Sequence, residues 1–399
     1  MSGNFEKDAI VSGIGISRIG RRTGIPGLDL TLQAARTAIA DAGLEPSDID
    51  GIATLGDTPR QKVLEALGIF AENRSSGFDT AGVYSPLMSA ILAVAEGRSR
   101  HVLVYRTVAM LGGSMIDSTA ELPPEPNALT SPPVEPRLPG QRRRIGANDD
   151  IGELMAAHAY SASNWVAMHC RRHMELYGTT KQQLGWLAIN SRRNAGLNPD
   201  ATYQNPMTME EYLAARPISS PLGLYDCDVP VDGSIAVIVS HRDYGPDCAN
   251  APISIEAVGG AYGTGGWFHR DDFPNMASTE AAAQMWSRTE LSPKDVDVAE
   301  LYDGFTYLTM AWLEALGLCG TGEAGPFVEG ATRIALDGEL PLNTYGGQLS
   351  AGRMHGYWVL HEACLQLRGA AGERQVRRHQ TAVVAAGGGP IAGCMVLTR

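Results

Sequence analysis

The feature that most constrains this chain is that it repeats itself. Leu44, Pro46, Asp48 and Asp50 of LEPSDIDGIATLGD return at one constant offset as Leu291, Pro293, Asp295 and Asp297, and ALGIF at Ala66–Phe70 returns as ALGLC at Ala315–Cys319. Self-similarity over so long a period reads as a duplicated α/β unit, because matched halves can bury one shared sheet-and-helix core. The segments around the echoes fit that reading. Ala9–Ser17 (AIVSGIGIS) is a short apolar strand with glycines, and Leu28–Ala42 carries small apolar residues at helical spacing and stops at Gly43. Phe78–Gly97 reads as a strand end running into a helix, followed by the strand HVLVY at His101–Tyr105; the second half repeats that order as Gly356–Arg368 and then TAVVAAGGG. With 399 residues and 44% apolar composition the chain can bury large cores.

Three pieces of the second half carry candidate chemistry: AELYDGFTY (Ala299–Tyr307), NTYGGQLSAGRMHG (Asn343–Gly356) and AAGGGP (Ala385–Pro390). In the first, a strand over Val296–Leu301 ends at a Tyr-Asp-Gly turn before a helix over Thr306–Leu316, so Tyr302 sits at a strand-to-helix junction, where functional side chains are often displayed. Asp303 reads as a turn or helix-cap residue. The duplication sets Thr80, Tyr302, Tyr345 and Gly387–Gly389 at strand ends facing one another, where open α/β sheets collect ligands.

Other stretches narrow the alternatives. A net charge of −12 argues against a nucleic-acid surface. No apolar run approaches the roughly 18 residues of a membrane span, and MSGNFEKD lacks a signal peptide's apolar region, so a soluble cytoplasmic protein is expected. Six scattered cysteines show neither CxxC spacing nor the density of a disulfide scaffold. Seven prolines between Pro123 and Pro139, followed by Arg142–Arg144, mark an irregular excursion over a cleft or neighbouring subunit. The arginine triplet reads as a solvated charge cluster, with contact to coenzyme A phosphates as the functional alternative. Helices are expected over His158–Tyr177 and Lys181–Arg193, with His169 and His173 as solvent or interface groups; no metal site is expected, since no third ligand is apparent. The glycine-rich GGAYGTGG after Ala257 lacks the dinucleotide fingerprint, so no nicotinamide cofactor is expected. Beyond it, Trp267, Phe268 and Phe273 either line an apolar substrate channel or seal a domain contact.

ELYDGF, NTYGG and AAGGG, in that order, together with HCRRHMELYGTTKQQL, NPDA and PLGLYDCDVPVDGSIAVIV, resemble the thiolase superfamily, in particular its sterol-carrier or lipid-transfer branch. The resemblance implies an α/β thiolase fold: duplicated halves in a five-layered αβαβα core, residues 1–250 with an excursion at about 115–215, then 251–399. The family's sulfur and imidazole are missing, however. By resemblance, Thr80 stands nearest the nucleophilic cysteine, Tyr302 replaces one catalytic histidine, Arg353 replaces the other with His355 two residues on, and Ala386 replaces the second cysteine.

Acyl transfer through an enzyme thioester needs that cysteine. Retro-aldol cleavage of a β-hydroxyacyl-CoA does not: it needs a base for the β-hydroxyl proton, donors for the thioester enolate and an acid for the α-carbon. On this reading Tyr302 and Tyr345 share the roles of base and acid, with Arg353 or His355 lowering a phenol's pKa. His355, Arg353 and Gly388 are the oxyanion candidates, and Thr80, Trp267 and Phe268 the substrate-binding ones. The pattern looks like the steroid side-chain aldolases of actinobacteria. That resemblance implies a 17-hydroxy steroid 20-carboxyl-CoA as substrate, a 17-ketosteroid and propionyl-CoA as products, and no cofactor beyond the substrate's coenzyme A. It also implies a homodimer and a DUF35 partner (an OB-fold with a zinc ribbon), often attached to a hydratase. A non-catalytic acyl-CoA carrier and an acyltransferase with a displaced nucleophile are the alternatives.

Overall fold

The computed structural model describes residues 4–54, 58–70, 73–76, 84–109, 111, 150–262 and 266–399; Thr80 and the Arg142–Arg144 triplet lie outside them. The strands are β1 (Ala9–Ile16), β2 (Gly51–Thr54), β3 (Asn73–Ser76), β4 (His101–Ala109), β5 (Pro217–Ser219), β6 (Leu222–Gly223), β7 (Asp232–His241), β8 (Ile253–Tyr262), β9 (Val298–Glu300), β10 (Thr381–Gly388) and β11 (Ile391–Thr398). The helices are α1 (Gly27–Asp41), α2 (Arg60–Leu67), α3 (Ser85–Ala95), α4 (Ile151–Ala156), α5 (Ala162–Tyr177), α6 (Lys181–Ala195), α7 (Met209–Leu213), α8 (Ala277–Trp286), α9 (Thr306–Ala315), α10 (Ala324–Val328) and α11 (Tyr357–Arg368).

Nine strands run in the order β3-β2-β4-β7-β1-β8-β11-β10-β9, and the order reads alike outward from its centre. β1 meets β8 antiparallel. On one side β7, β4 and β2 follow with antiparallel, antiparallel and parallel pairing. On the other, β11, β10 and β9 follow with the same polarities. The echo in the sequence marks this symmetry, because its two copies form the 3-10 turns Pro46–Asp48 and Pro293–Asp295 that lead into β2 and β9.

Strand alternation sorts the apolar side chains into layers. Leu103, Tyr105, Ala236 and Ile238 meet the apolar stripe of α1, Ala34, Ala35 and Ala38, on one outer face. Val102, Val104, Val237 and Val239 point the other way, onto a central layer of α3 and α11, and Ala382, Val384 and Met395 of the second half meet that layer from the opposite side. Val383, Ala385, Cys394 and Val396 then face α8 and α9. The layers are αβαβα. The described part of the excursion folds as α4 to α7 with the β5–β6 pair, and its α5 and α6 pack on the second half through Val166, Cys170, Leu184 and Leu187.

Two close approaches fix the outer helices. A Cβ on Gly15 would lie 2.1 Å from the Ala34 carbonyl oxygen of α1, and a Cβ on Gly259 of β8 would lie 2.0 Å from the Ala281 carbonyl oxygen of α8. Both neighbours are backbone atoms, which have nowhere to go. β9 is shorter than the sequence suggests because the Leu301 amide leaves the ladder and donates to Asn343 Oδ1 at 2.7 Å. Among the described residues no helix is long and apolar enough to cross a membrane.

Gly15→Ala and Gly259→Ala should each lower stability by about 1–3 kcal/mol through overpacking, measured by urea denaturation. Gly152→Ala, whose Cβ would meet nothing within 4 Å, should stay within about 1 kcal/mol of the parent.

Candidate active site

At the carboxyl ends of β9 and β10 lies a cavity of about 320 Å³, within the range of small-molecule sites. Tyr302, Arg353, His355, Asp228 and Gly387–Gly388 supply its polar groups, and Val166, Trp267, Phe305, Leu308 and Ile391 its apolar wall.

The turn after β9 begins the site. Gly304 lets the Tyr302 ring fold back over it, since a Cβ there would sit 2.7 Å from the ring. Asp303 caps a turn, though not that of α9: its carboxylate accepts the Gln348 amide at 2.8 Å and the Leu349 amide at 3.3 Å. These are first-turn amides of a single π-helical turn, Gly347–Ala351, entered through Gly346 at φ 104°. Position 347 must be glycine for this, because a Cβ there would stand 1.9 Å from Asp303 Oδ2. Burial pushes the Asp303 carboxyl up to about 7 against the pull of the two amides.

Helix α6 pins the same loop from behind. Asn190 and Asn194 donate to the Leu342 carbonyl at 3.0 and 3.1 Å, and Asn198 donates to the Tyr345 carbonyl at 2.8 Å. Thr344 donates through its amide to the buried Glu300, and Arg374 holds the neighbouring Glu362 at 2.9 Å. Tyr345 is consequently packed away from the cavity. It is fully buried, stacks on Trp358 at 5.1 Å, and its hydroxyl has no hydrogen-bond partner among the described residues. The expected pair of phenols therefore reduces to one, because the loop that carries Tyr345 is zipped onto α6 and turns the ring toward α11.

Beyond the π-turn the chain passes Gly352 and brings Arg353 and His355 to the cavity. His355 adopts φ 50°. Arg106, from β4 of the other half, donates to its Nδ1 through Nε at 3.3 Å and Nη2 at 2.9 Å. A guanidinium has no acceptor, so Nδ1 carries the lone pair and the proton of the neutral ring sits on Nε2. Burial first, then the charges of Arg106 and Arg353, hold this imidazole well below its ordinary range. His355 is thus a neutral donor.

Asp228 and Arg106 were not among the residues singled out in the sequence. Asp228 lies in YDCDVPVDG, where its one local signal is an acid beside an apolar strand. Its amide donates to the Gly304 carbonyl at 3.1 Å, and its carboxylate faces Arg353 Nη1 at 3.5 Å. Burial raises this carboxyl to about 6, against the attraction of Arg353. Burial and the Asp228 charge raise the Tyr302 phenol above its usual value, outweighing Arg353. The expectation of a phenol made easier to ionise is overturned: the surroundings of Tyr302 favour its protonated form.

Helix α5 sets the apolar wall. His169 Nδ1 and Nε2 lie 2.8 and 2.5 Å from the carbonyl oxygens of Pro274 and Trp267. His173 meets Thr179 at 2.9 Å and Glu314 at 3.1 Å. Both histidines are buried, at 0% and 3% exposure, which corrects their reading as solvent or interface groups. Among the described residues no cluster of His, Cys, Asp and Glu could hold a metal. Trp267 borders the cavity and packs against Trp165 at 5.1 Å and against the Gly389 turn. Phe268 turns away from the lining and sits edge-on to His269 at 4.4 Å, because its amide is held by the Asp150 carboxylate. Of the six cysteines, none is on the lining.

Residues 260–398 match the family model "Thiolase C-terminal domain-like". The chain is similar to a 17-hydroxy-3-oxo-4-pregnene-20-carboxyl-CoA lyase of Mycobacterium tuberculosis, 32% identical over 97% of this chain and 98% of that one. The chain belongs to the thiolase superfamily, in the branch that holds these aldolases. A steroid side-chain-cleaving aldolase of Thermomonospora curvata is likewise 32% identical, over 97% of each chain. Among solved structures an Ltp2-ChsH2(DUF35) aldolase superposes with a TM-score of 0.85 at 29% identity, covering 99% of both chains. Within this branch of the thiolase fold, the site described above keeps the glycine-rich floor and carries no sulfur.

Asp303→Ala strands two buried amides of the π-turn and should cost about 2–4 kcal/mol by urea denaturation.

Proposed function

We propose that this chain is a carbon–carbon lyase that cleaves a β-hydroxyacyl-CoA by a retro-aldol reaction, with a 17-hydroxy steroid 20-carboxyl-CoA as substrate and a 17-ketosteroid and propionyl-CoA as products. The observation that carries the reading is one cavity bordered by a protonated phenol, a neutral imidazole donor, a guanidinium and two glycines, with no cysteine on its lining. A thiolase site without a cysteine cannot hold the acyl group as an enzyme thioester. It can still stabilise the enolate into which the breaking bond releases its electrons.

The geometry supports the following roles. As the bond between the α- and β-carbons breaks, negative charge develops on the thioester oxygen, where the Nε2–H of His355 and the guanidinium of Arg353 donate. Tyr302, held protonated, delivers a proton to the α-carbon. Val166, Trp267, Phe305, Leu308 and Ile391 supply the apolar surface that a fused hydrocarbon ring system needs. Substrate and products differ only in how the same atoms are bonded, so the scheme calls for no cofactor.

The same reading extends to assembly and place: a homodimer through the shared core, bound to a hydratase-linked DUF35 protein, in the cytoplasm where acyl-CoA substrates are made. The solved aldolase that bears DUF35 in its name, similar over nearly the whole chain, supports the partner. Co-elution with a DUF35 protein on size exclusion checks it, and separate elution of the two counts against it.

Incubation with a 17-hydroxy steroid 20-carboxyl-CoA, alone and with the DUF35 protein, should release the ketosteroid and propionyl-CoA, read by mass spectrometry. Tyr302→Phe should lower kcat at least about 100-fold with an unchanged melting temperature. Binding without product would make the chain a carrier, and a trapped acyl-enzyme would make it an acyltransferase.

A further inference from the structure

The retro-aldol scheme leaves one proton without a destination, that of the β-hydroxyl. The cavity lining offers few places to put it. Arg353 has no acceptor atom. His355 receives Arg106 at Nδ1 and carries its proton on Nε2, so both ring nitrogens are committed. Tyr302 would have to ionise first, and its surroundings oppose that. Asp228 is the one carboxylate on the lining among the described residues.

Its placement is built rather than incidental. The Asp228 amide donates to Gly304 in the turn that carries Tyr302, at 3.1 Å; next to it the Val229 amide donates to the Gln348 carbonyl at 2.9 Å, and the Arg353 amide donates to the Val229 carbonyl at 2.8 Å. These three bonds fix the acid between the Tyr302 turn and the Arg353 loop, with its side chain 14% exposed and Arg353 at 3.5 Å. Resting on the aldolase reading of this site, we infer that Asp228 is the catalytic base, the group that takes the β-hydroxyl proton when the carbon–carbon bond breaks.

The step balances within the site. The O–H bond pair becomes the second bond of the new ketone, and the pair of the breaking carbon–carbon bond moves into the thioester enolate. Tyr302 gives its proton to the α-carbon. Asp228, now a carboxylic acid, returns the proton to the Tyr302 phenolate, and both groups regain their starting forms.

The charge environment sets the pH range. Facing Asp228 are Arg353, Tyr302 and Asp303 of the loops packed against it, Cys227 beside it in the chain, and His355 and Arg106 beyond Arg353. Burial raises the Asp228 carboxyl to about 6, and Arg353 pulls it down. The base form is present above that value and is lost as pH falls through it, so kcat/KM should decline about tenfold per unit at lower pH.

The test uses the full chain, with the DUF35 protein if turnover requires it, and the 17-hydroxy substrate, over about pH 5 to 8.5. Wild type should show the acid limb near pH 6 that Asp228 predicts. Asp228→Asn should lose at least about 100-fold in kcat/KM and the acid limb with it, while melting temperature and the affinity for the 17-deoxy acyl-CoA, which cannot be cleaved, stay near wild type. Arg353→Gln should move the acid limb to higher pH, a change that a purely structural salt bridge would not cause. Wild-type kcat/KM with an unmoved acid limb in Asp228→Asn overturns the assignment while leaving the aldolase reading intact. Loss of analogue affinity to the same degree as rate would reduce Asp228 to a structural role. If wild type releases no ketosteroid, the aldolase reading falls and takes the base with it.

Discussion

The site depends on one side-chain contact that crosses between the halves of the molecule. Arg106, from a strand of the first half, donates into Nδ1 of His355, from a loop of the second. Because a guanidinium can only donate, this contact dictates the imidazole's tautomer and charge. A ring free to take a proton on either nitrogen would be a base at one moment and an acid at the next. Held as it is, His355 is a fixed donor, and in the proposed reaction a pre-oriented dipole loses nothing to reorganisation when negative charge develops beside it.

Burial divides the remaining labour. It acts on Asp228 and Tyr302 in the same sense, disfavouring the charged form of each. The starting points differ, so the outcomes differ as well. A carboxylic acid raised to about 6 still ionises near neutral pH, while a phenol raised from 10 keeps its proton. Two acidic groups on one lining thereby become acceptor and donor, and Arg353 beside Asp228 keeps the separation from closing. Tyr345, by contrast, packs against Trp358 of α11, in the loop that leads to Arg353 and His355.

The excursion inserted between β4 and β7 does more than cover the core. Its α6 asparagines donate to the carbonyls of Leu342 and Asn343, its α5 residue His169 faces the carbonyl of Trp267, and the segment that returns from it carries Asp228. One insertion in the first half thus shapes the cavity floor, wall and acid of the second. The glycines at Gly346 and Gly347 let this happen, since a side chain at either would strike Ala195 or Asp303.

By itself the sequence determined the architecture and the chemistry that is missing. Turn signals, apolar periodicity and the echo between LEPSDID and LSPKDVD are local properties, and they specified paired α/β halves that the sheet order reproduces from its centre outward. The absence of cysteine and histidine at the family's positions was equally legible, as was the convergence of Tyr302, Arg353, His355, Gly388 and Trp267. Only the tertiary structure decided which side chains share the cavity and which protons they hold. Tyr345 and Phe268 left the lining, and Asp228 and Arg106 entered the argument, because membership depends on the direction a side chain takes from segments more than a hundred residues apart. Ionisation was decided there too, since burial and a neighbour's charge belong to the packed molecule and to no stretch of chain.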